Sequence, residues 1–212
     1  MAQQRLFLTV TRACDLRCTY CPTVKDDWPS LSIEDARRAV DIFCETFGGG
    51  DIKLFGGEPL LVPDVVRDVM NYAEKKEAIG RVYLSTNGLG LTSEWLQFLR
   101  GYSKGVLTLS MDGVPKDHRR NRRALDGVED AYDHIVSLIP QLKTVPRVVV
   151  TQTIPPSTAH HFLENFEHIL GLGFWRFNFL PGYYIPWKEK QIEALKTGFQ
   201  AVGNRIMSGW QN

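Results

Sequence analysis

The chain has 212 residues, a size that one compact core can organise, and a single domain spanning 1–212 is expected. Lys and Arg number 25 against 24 Asp and Glu, a formal charge of +1, so no global field draws the chain to nucleic acid or a membrane surface, and neither is expected as a partner. The opening MAQQRLFLTV lacks a secretory-signal layout, no apolar run is long enough to span a bilayer, and three of the four cysteines fall too close together for a disulfide framework; a reducing cytoplasm is the expected setting.

In chain order, the first predicted strand is RLFLTVT, short and near-continuously apolar as a buried parallel strand is. The loop after it, TRACDLRCTYCP, carries Cys14, Cys18 and Cys21 at C-x3-C-x2-C spacing. Thiolates are soft ligands that select iron–sulfur clusters, zinc or copper(I), and electron-transfer clusters need four of them. Three close thiols leave a metal position open, as sites that bind a reactant do. Structural zinc is the alternative, but such sites close with four ligands, and His118, His134, His160, His161 and His168 all lie far downstream. A helix follows, with Ile33, Ala36, Val40, Phe43, Cys44 and Phe47 on one face and Ser32 and Asp35 as its capping box; Cys44 is assigned to the buried stripe.

The second strand, DIKLFGG, runs into Gly56, Gly57, Glu58 and Pro59. Glycines let backbone approach a ligand and a carboxylate accepts from an ammonium, although a plain tight turn reads the same way. A helix over Pro63–Ala78 precedes the third strand, RVYLSTNG, which ends at Ser85 and Asn87; a helix over Thr92–Arg100 precedes the fourth, GVLTLSMDG, which ends at Ser110. The basic run HRRNRR at 118–123 contains Arg122 and reads either as a grip for phosphate or an acidic leader peptide, or as a solvated surface. A helix over Asp126–Ile139, the strand RVVVTQTI, a helix over Thr158–Leu170, the strand FWRFNFLPGY with Leu180, and a helix over Lys188–Met207 complete six β-α units. Tyr183, Tyr184 and Trp187 in PGYYIPW fall at the open end, as channel lining or as core. Right-handed crossovers repeated this way curl a parallel sheet into an α/β fold, a partial (β/α)6 barrel with its working residues at the C-terminal strand ends.

The cysteine spacing after the first strand, with Gly-Gly-Glu-Pro one β-α unit later, resembles the radical S-adenosylmethionine (SAM) superfamily. Ser-Thr-Asn-Gly at 85–88, Ser-Met-Asp-Gly at 110–113 and His118-x-x-x-Arg122 are similar to segments of its sulfatase-maturing and peptide-modifying, SPASM-type members. The resemblance implies a [4Fe–4S] cluster on Cys14, Cys18 and Cys21 with SAM on the fourth iron. It implies that Gly56, Gly57, Glu58 and Pro59 receive the methionine amino group, that Ser85, Asn87 and Ser110 border SAM, that Arg122 pairs the methionine carboxylate, and that Tyr20 and Leu180 flank adenine. It further implies reductive cleavage of SAM to a 5′-deoxyadenosyl radical that abstracts hydrogen from a substrate, an electron donor such as flavodoxin or ferredoxin, and a peptide or protein as that substrate. A small-molecule or activating enzyme of the same superfamily is one competing reading, and a silent metal-binding protein another; intact Gly56-Gly57-Glu58 and Arg122 argue against silence. Phe55 stands where the sulfatase-maturing relatives often have Gln, Arg119 where they usually carry Asp, and no cysteine follows Cys44, so no ligands for auxiliary clusters are expected.

Overall fold

The computed structural model describes residues 4–24 and 28–209. Their elements run β1 (Arg5–Thr11), β2 (Leu16–Cys18), α1 (Ile33–Phe47), β3 (Gly50–Gly56), α2 (Pro63–Glu74), β4 (Ile79–Thr86), α3 (Ser93–Gly101), β5 (Gly105–Ser110), α4 (Pro115–Asn121), β6 (Arg122–Ala124), α5 (Ala131–Ser137), α6 (Ile139–Leu142), β7 (Val148–Ile154), α7 (Phe162–Gly171), β8 (Phe177–Pro181) and α8 (Glu189–Gly209). The six apolar runs form one sheet in the order β1-β3-β4-β5-β7-β8, every pair parallel. Sequential order with helical crossovers is the partial (β/α)6 barrel, open between its edge strands β1 and β8.

Gly105 to Leu109 of β5 are buried on both faces, as the apolar runs suggested, whereas β1 and β4 leave alternate residues exposed or partly exposed. Leu8, Val10, Ile52, Leu54, Val82, Leu84, Leu107 and Leu109 turn toward the helices and pack with Val40, Val69, Leu96 and Ile135. The alternate residues face the concave side of the sheet, where Phe7 is 60% exposed. A second cluster of Ile154, Phe162, Phe166 and Val202 lies beneath α7 and α8. Trp187 packs there and donates its indole N–H to Gly182 O at 2.8 Å, which ties it to the wall rather than to a channel.

Local chemistry sets the helix ends. Ser32 Oγ accepts from Asp35 N at 3.0 Å to start α1, and Gly48, at φ 74°, ends it by donating to Cys44 O. Ala36, Val40 and Phe43 are buried and Cys44 packs against the core, but Ile33 and Phe47 at the two ends stay exposed, so the stripe is shorter than its spacing suggested. The helix expected from Asp126 begins only at Ala131, because the Asp130 carboxylate accepts from Tyr132 N and Asp133 N and so caps it there; Pro140 then opens the separate α6. The one expected from Thr158 begins at Phe162, after a 3-10 turn at Ala159–His161. The sequence carried no sign of the antiparallel ribbon of β2 and β6, in which Leu16 faces Ala124, Arg17 faces Arg123 and Cys18 faces Arg122. Three residues per strand are too few to show an alternation.

Candidate functional site

The cysteine loop is pinned from below and from the side. Ala13 N donates to Thr11 Oγ1 at 3.2 Å, Arg17 Nη1 to Cys14 O at 2.8 Å, and Cys21 N to Cys18 O at 3.2 Å. Leu16, fully buried, anchors the loop, and its N–H points at Cys14 Sγ from 3.5 Å. Gly57 N donates to Thr11 O at 2.7 Å and Glu58 N to Ala13 O at 2.8 Å. A Cβ at position 56 would stand 2.2 Å from Thr11 O, and one at position 57 would stand 2.0 Å from Ala13 O. The two glycines therefore bring the turn against the cysteine-loop backbone, a reason different from the ligand approach that their type suggested.

Glu58 is buried and accepts three hydrogen bonds: Oε1 from Leu60 N at 3.0 Å and Thr86 Oγ1 at 2.8 Å, Oε2 from Asn87 N at 2.7 Å. A carboxylate has about four acceptor positions, so one remains for an ammonium. Burial pushes the Glu58 carboxyl up to about 7, against those hydrogen bonds. Asn87 reaches back to the cysteine loop, donating from Nδ2 to Asp15 Oδ1 at 2.5 Å while its Oδ1 accepts from Leu89 N at 2.9 Å.

On the opposite wall Asp112, fully buried, gathers Tyr20 and Arg122. Tyr20 Oη donates to Asp112 Oδ2 at 2.7 Å, and Arg122 Nη2 and Thr153 N both donate to Oδ1, at 2.9 and 3.1 Å. The Arg122 guanidinium lies 5.5 Å from the centre of the Tyr20 ring. Although burial opposes its charge, Asp112, Tyr20 and Cys18 hold Arg122 firmly protonated, and burial drives the Tyr20 hydroxyl well up. Asp112 as the partner of Arg122 was not anticipated; the acid in Ser-Met-Asp-Gly was the available signal. His118, pushed down to about 4 by burial and therefore neutral, sits beneath Asp112 with its Nδ1 3.4 Å from Asp112 N. The rest of the basic run is divided: Arg119 is bound by Asp130 and Asp133 at 2.8 and 2.7 Å, while Arg120 and Arg123 face solvent.

These walls enclose one cavity of about 370 Å³ at the C-terminal strand ends. Cys14, Cys18, Tyr20, Cys21, Gly56, Gly57, Glu58, Ser85, Asn87, Ser110, Arg122 and Leu180 all line it. Pro59 instead is buried behind, opening the 3-10 turn that follows Glu58. Lys53, Phe55, Thr108, Thr151 and Thr153 also line it, strand residues that no motif marked, and Tyr183 and Tyr184 stand exposed at its mouth. Ser85 Oγ, Thr151 Oγ1 and Arg122 Nε are buried at this wall and, among the described residues, have no hydrogen-bond partner. Three thiols on one loop, beside unsatisfied polar atoms and a cation in register with Cys18, fit a cluster bound next to a polar cofactor. Among the described residues no three His, Cys, Asp or Glu side chains gather closely enough for a single ion, whereas a cubane takes each thiolate on a different iron.

An open six-unit barrel with a three-thiol loop and a Gly-Gly-Glu turn at its rim defines an α/β barrel built to hold an iron–sulfur cluster and a small polar cofactor. The profile of the Radical SAM superfamily matches residues 8–195, and the chain belongs to that superfamily, which works with a [4Fe–4S] cluster and SAM. GTP 3′,8-cyclase from Pectobacterium atrosepticum is 29% identical over 143 residues, 60% of this chain and 42% of its own length. AdoMet-dependent heme synthase from Methanosarcina barkeri is 32% identical over 121 residues, 56% and 34% of the two chains. In fold, native anSMEcpe with bound AdoMet matches with a TM-score of 0.80 at 22% identity, over 97% of this chain and 61% of that one. Streptococcus suis SuiB bound to precursor peptide SuiA matches at 0.75 and 17% identity, over 96% and 46%. The matched region is thus less than half of either curated relative. No helix among the described residues is long and apolar enough to cross a membrane.

Proposed function

We propose that the chain carries out radical SAM chemistry on a peptide or protein, with Cys14, Cys18 and Cys21 as the cluster ligands and one-electron supply from a flavodoxin- or ferredoxin-like donor. The observation that carries this reading is convergence: the three thiols, the Gly56–Glu58 turn and Arg122 line one cavity although Cys14 and Arg122 stand 108 positions apart. Bound there, cluster and SAM together would supply reductive cleavage of SAM to methionine and a 5′-deoxyadenosyl radical that takes a hydrogen atom from the substrate.

The chain's own residues bind and orient. The fourth acceptor position of Glu58 suits the methionine ammonium, and the unsatisfied Nε of Arg122 suits its carboxylate. Tyr20, held by Asp112, and Leu180, on the far strand, would border the adenine from two sides, and Ser85, Asn87 and Ser110 the remaining polar edge. A peptide is supported by the open concave face and by the two exposed tyrosines at the mouth, rings suited to a chain passing across them. The fold likeness to SuiB, solved with its precursor peptide, agrees. A nucleotide substrate is the second reading, favoured by the sequence likeness to GTP 3′,8-cyclase.

Anaerobic reconstitution followed by dithionite and SAM, with 5′-deoxyadenosine quantified by mass spectrometry, tests the class. Wild-type protein should be brown and form 5′-deoxyadenosine; Cys18→Ala should lose the visible iron–thiolate absorption and at least about 100-fold of the product. Undiminished product from Cys18→Ala would refute the assignment.

A further inference from the structure

One cation on the cavity wall is not engaged by the SAM-binding set. Lys53 projects from β3 onto the concave face, in register with Phe7 of β1, and its Nζ lies 5.9 Å from the centre of the Phe7 ring and 5.5 Å from that of Phe55. Among the described residues no carboxylate pairs with it. Burial, and then the charge of Arg5, push its ammonium below the ordinary lysine range. The nearby charges of the wall are already committed: Arg122 to Asp112, and Glu58 to Leu60, Thr86 and Asn87. Thr108 of β5, in register with the SAM-bordering Ser85 of β4, lines the same cavity. A half-buried ammonium beside two phenyl rings, with the Thr108 hydroxyl in the same cavity, is an arrangement that an incoming anion would complete.

We infer that Lys53, with the Thr108 hydroxyl and flanked by Phe7 and Phe55, is an anchoring subsite for a substrate carboxylate. On the peptide reading above, on which this rests, the carboxylate is that of an acidic side chain. One lysine between two apolar rings suits a monoanion on a short aliphatic stem, whereas a phosphate calls for several donors or an arginine fork.

Calorimetry on the cluster-loaded, SAM-bound protein tests this with three probes: acetyl-Gly-Glu-Gly-amide, acetyl-Gly-Gln-Gly-amide and GTP. The glutamate peptide should bind about tenfold more tightly than the glutamine peptide, Lys53→Met should erase that difference, and Lys53→Arg should keep most of it. Thermal denaturation of both variants checks their folding, and Lys53→Gln replaces Lys53→Met if the latter melts early. Equal binding of the two peptides, no binding of either, or a glutamate preference that survives loss of the lysine overturns the inference. Lys53-dependent binding of GTP with no binding of either peptide overturns the carboxylate assignment together with the peptide reading, while loss of 5′-deoxyadenosine formation in the wild type would strike the radical SAM reading alone.

Discussion

Glu58 shows how single residues on this wall are governed by desolvation. Its carboxyl rises from 4.5 to about 7 because burial outweighs three hydrogen bonds that favour the ionised form. Between those values the unfolded chain has released a proton that the folded chain keeps. The stabilising contribution of this group is therefore complete below about pH 4.5 and gone above about pH 7, a loss of roughly 3 kcal/mol if the whole shift is expressed. Glu58→Gln should flatten that slope, as followed by urea denaturation of the apoprotein across the window; an unchanged slope would remove Glu58 as its source. Ionised Glu58 is also the form that attracts an ammonium, so SAM binding should tighten as pH rises toward about 7. That Glu58 belongs to the cavity was legible from Gly-Gly-Glu-Pro. Its three internal partners were not, because Thr86 and Asn87 reach it only through the pairing of β3 with β4.

At the scale of elements, two short pieces of backbone assemble the cavity. The Gly56–Gly57 turn hydrogen-bonds to the start of the cysteine loop, and the ribbon of β2 and β6 sets Cys18 directly across from Arg122. Gly57→Ala would drive a Cβ against Ala13 O, a backbone atom with no rotamer by which to yield. The variant should lose about 1–3 kcal/mol and incorporate less iron, read by thermal melting and by iron per chain. Wild-type melting with full iron would mean that the loop can shift freely. The long elements were legible because each carries an unbroken apolar run or a cap. Start points moved where a cap or a proline outweighed periodicity, as at Asp130 and Pro140. The ribbon escaped because its pairing is long-range and its strands carry no pattern.

Across the whole molecule, lining residues arrive from β3, β4, β5, β7 and β8 and from the loop after β1, so a ligand in the cavity bridges the open sheet from one side to the other. SAM at a hundredfold excess over its Kd should therefore raise the unfolding free energy of cluster-loaded protein by about 2.7 kcal/mol, with no such gain for Cys18→Ala; denaturant titration with and without SAM measures it. An equal gain in both proteins would place SAM binding away from the cysteine loop.

The sequence by itself determined the α/β class, the six parallel strands and the cysteine and glycine motifs, since each of these is written in local spacing: apolar runs, caps and C-x3-C-x2-C. Only the tertiary structure decided that alternate residues of β1 and β4 stay accessible while β5 is buried on both faces, that Asp112 holds Tyr20 and Arg122, and that Lys53 stands unpaired among the described residues beside two phenylalanines. The physical reason is that each of these depends on which residues lie opposite one another across strands distant in sequence, and pairing register, unlike periodicity, is set by the packing of the complete sheet.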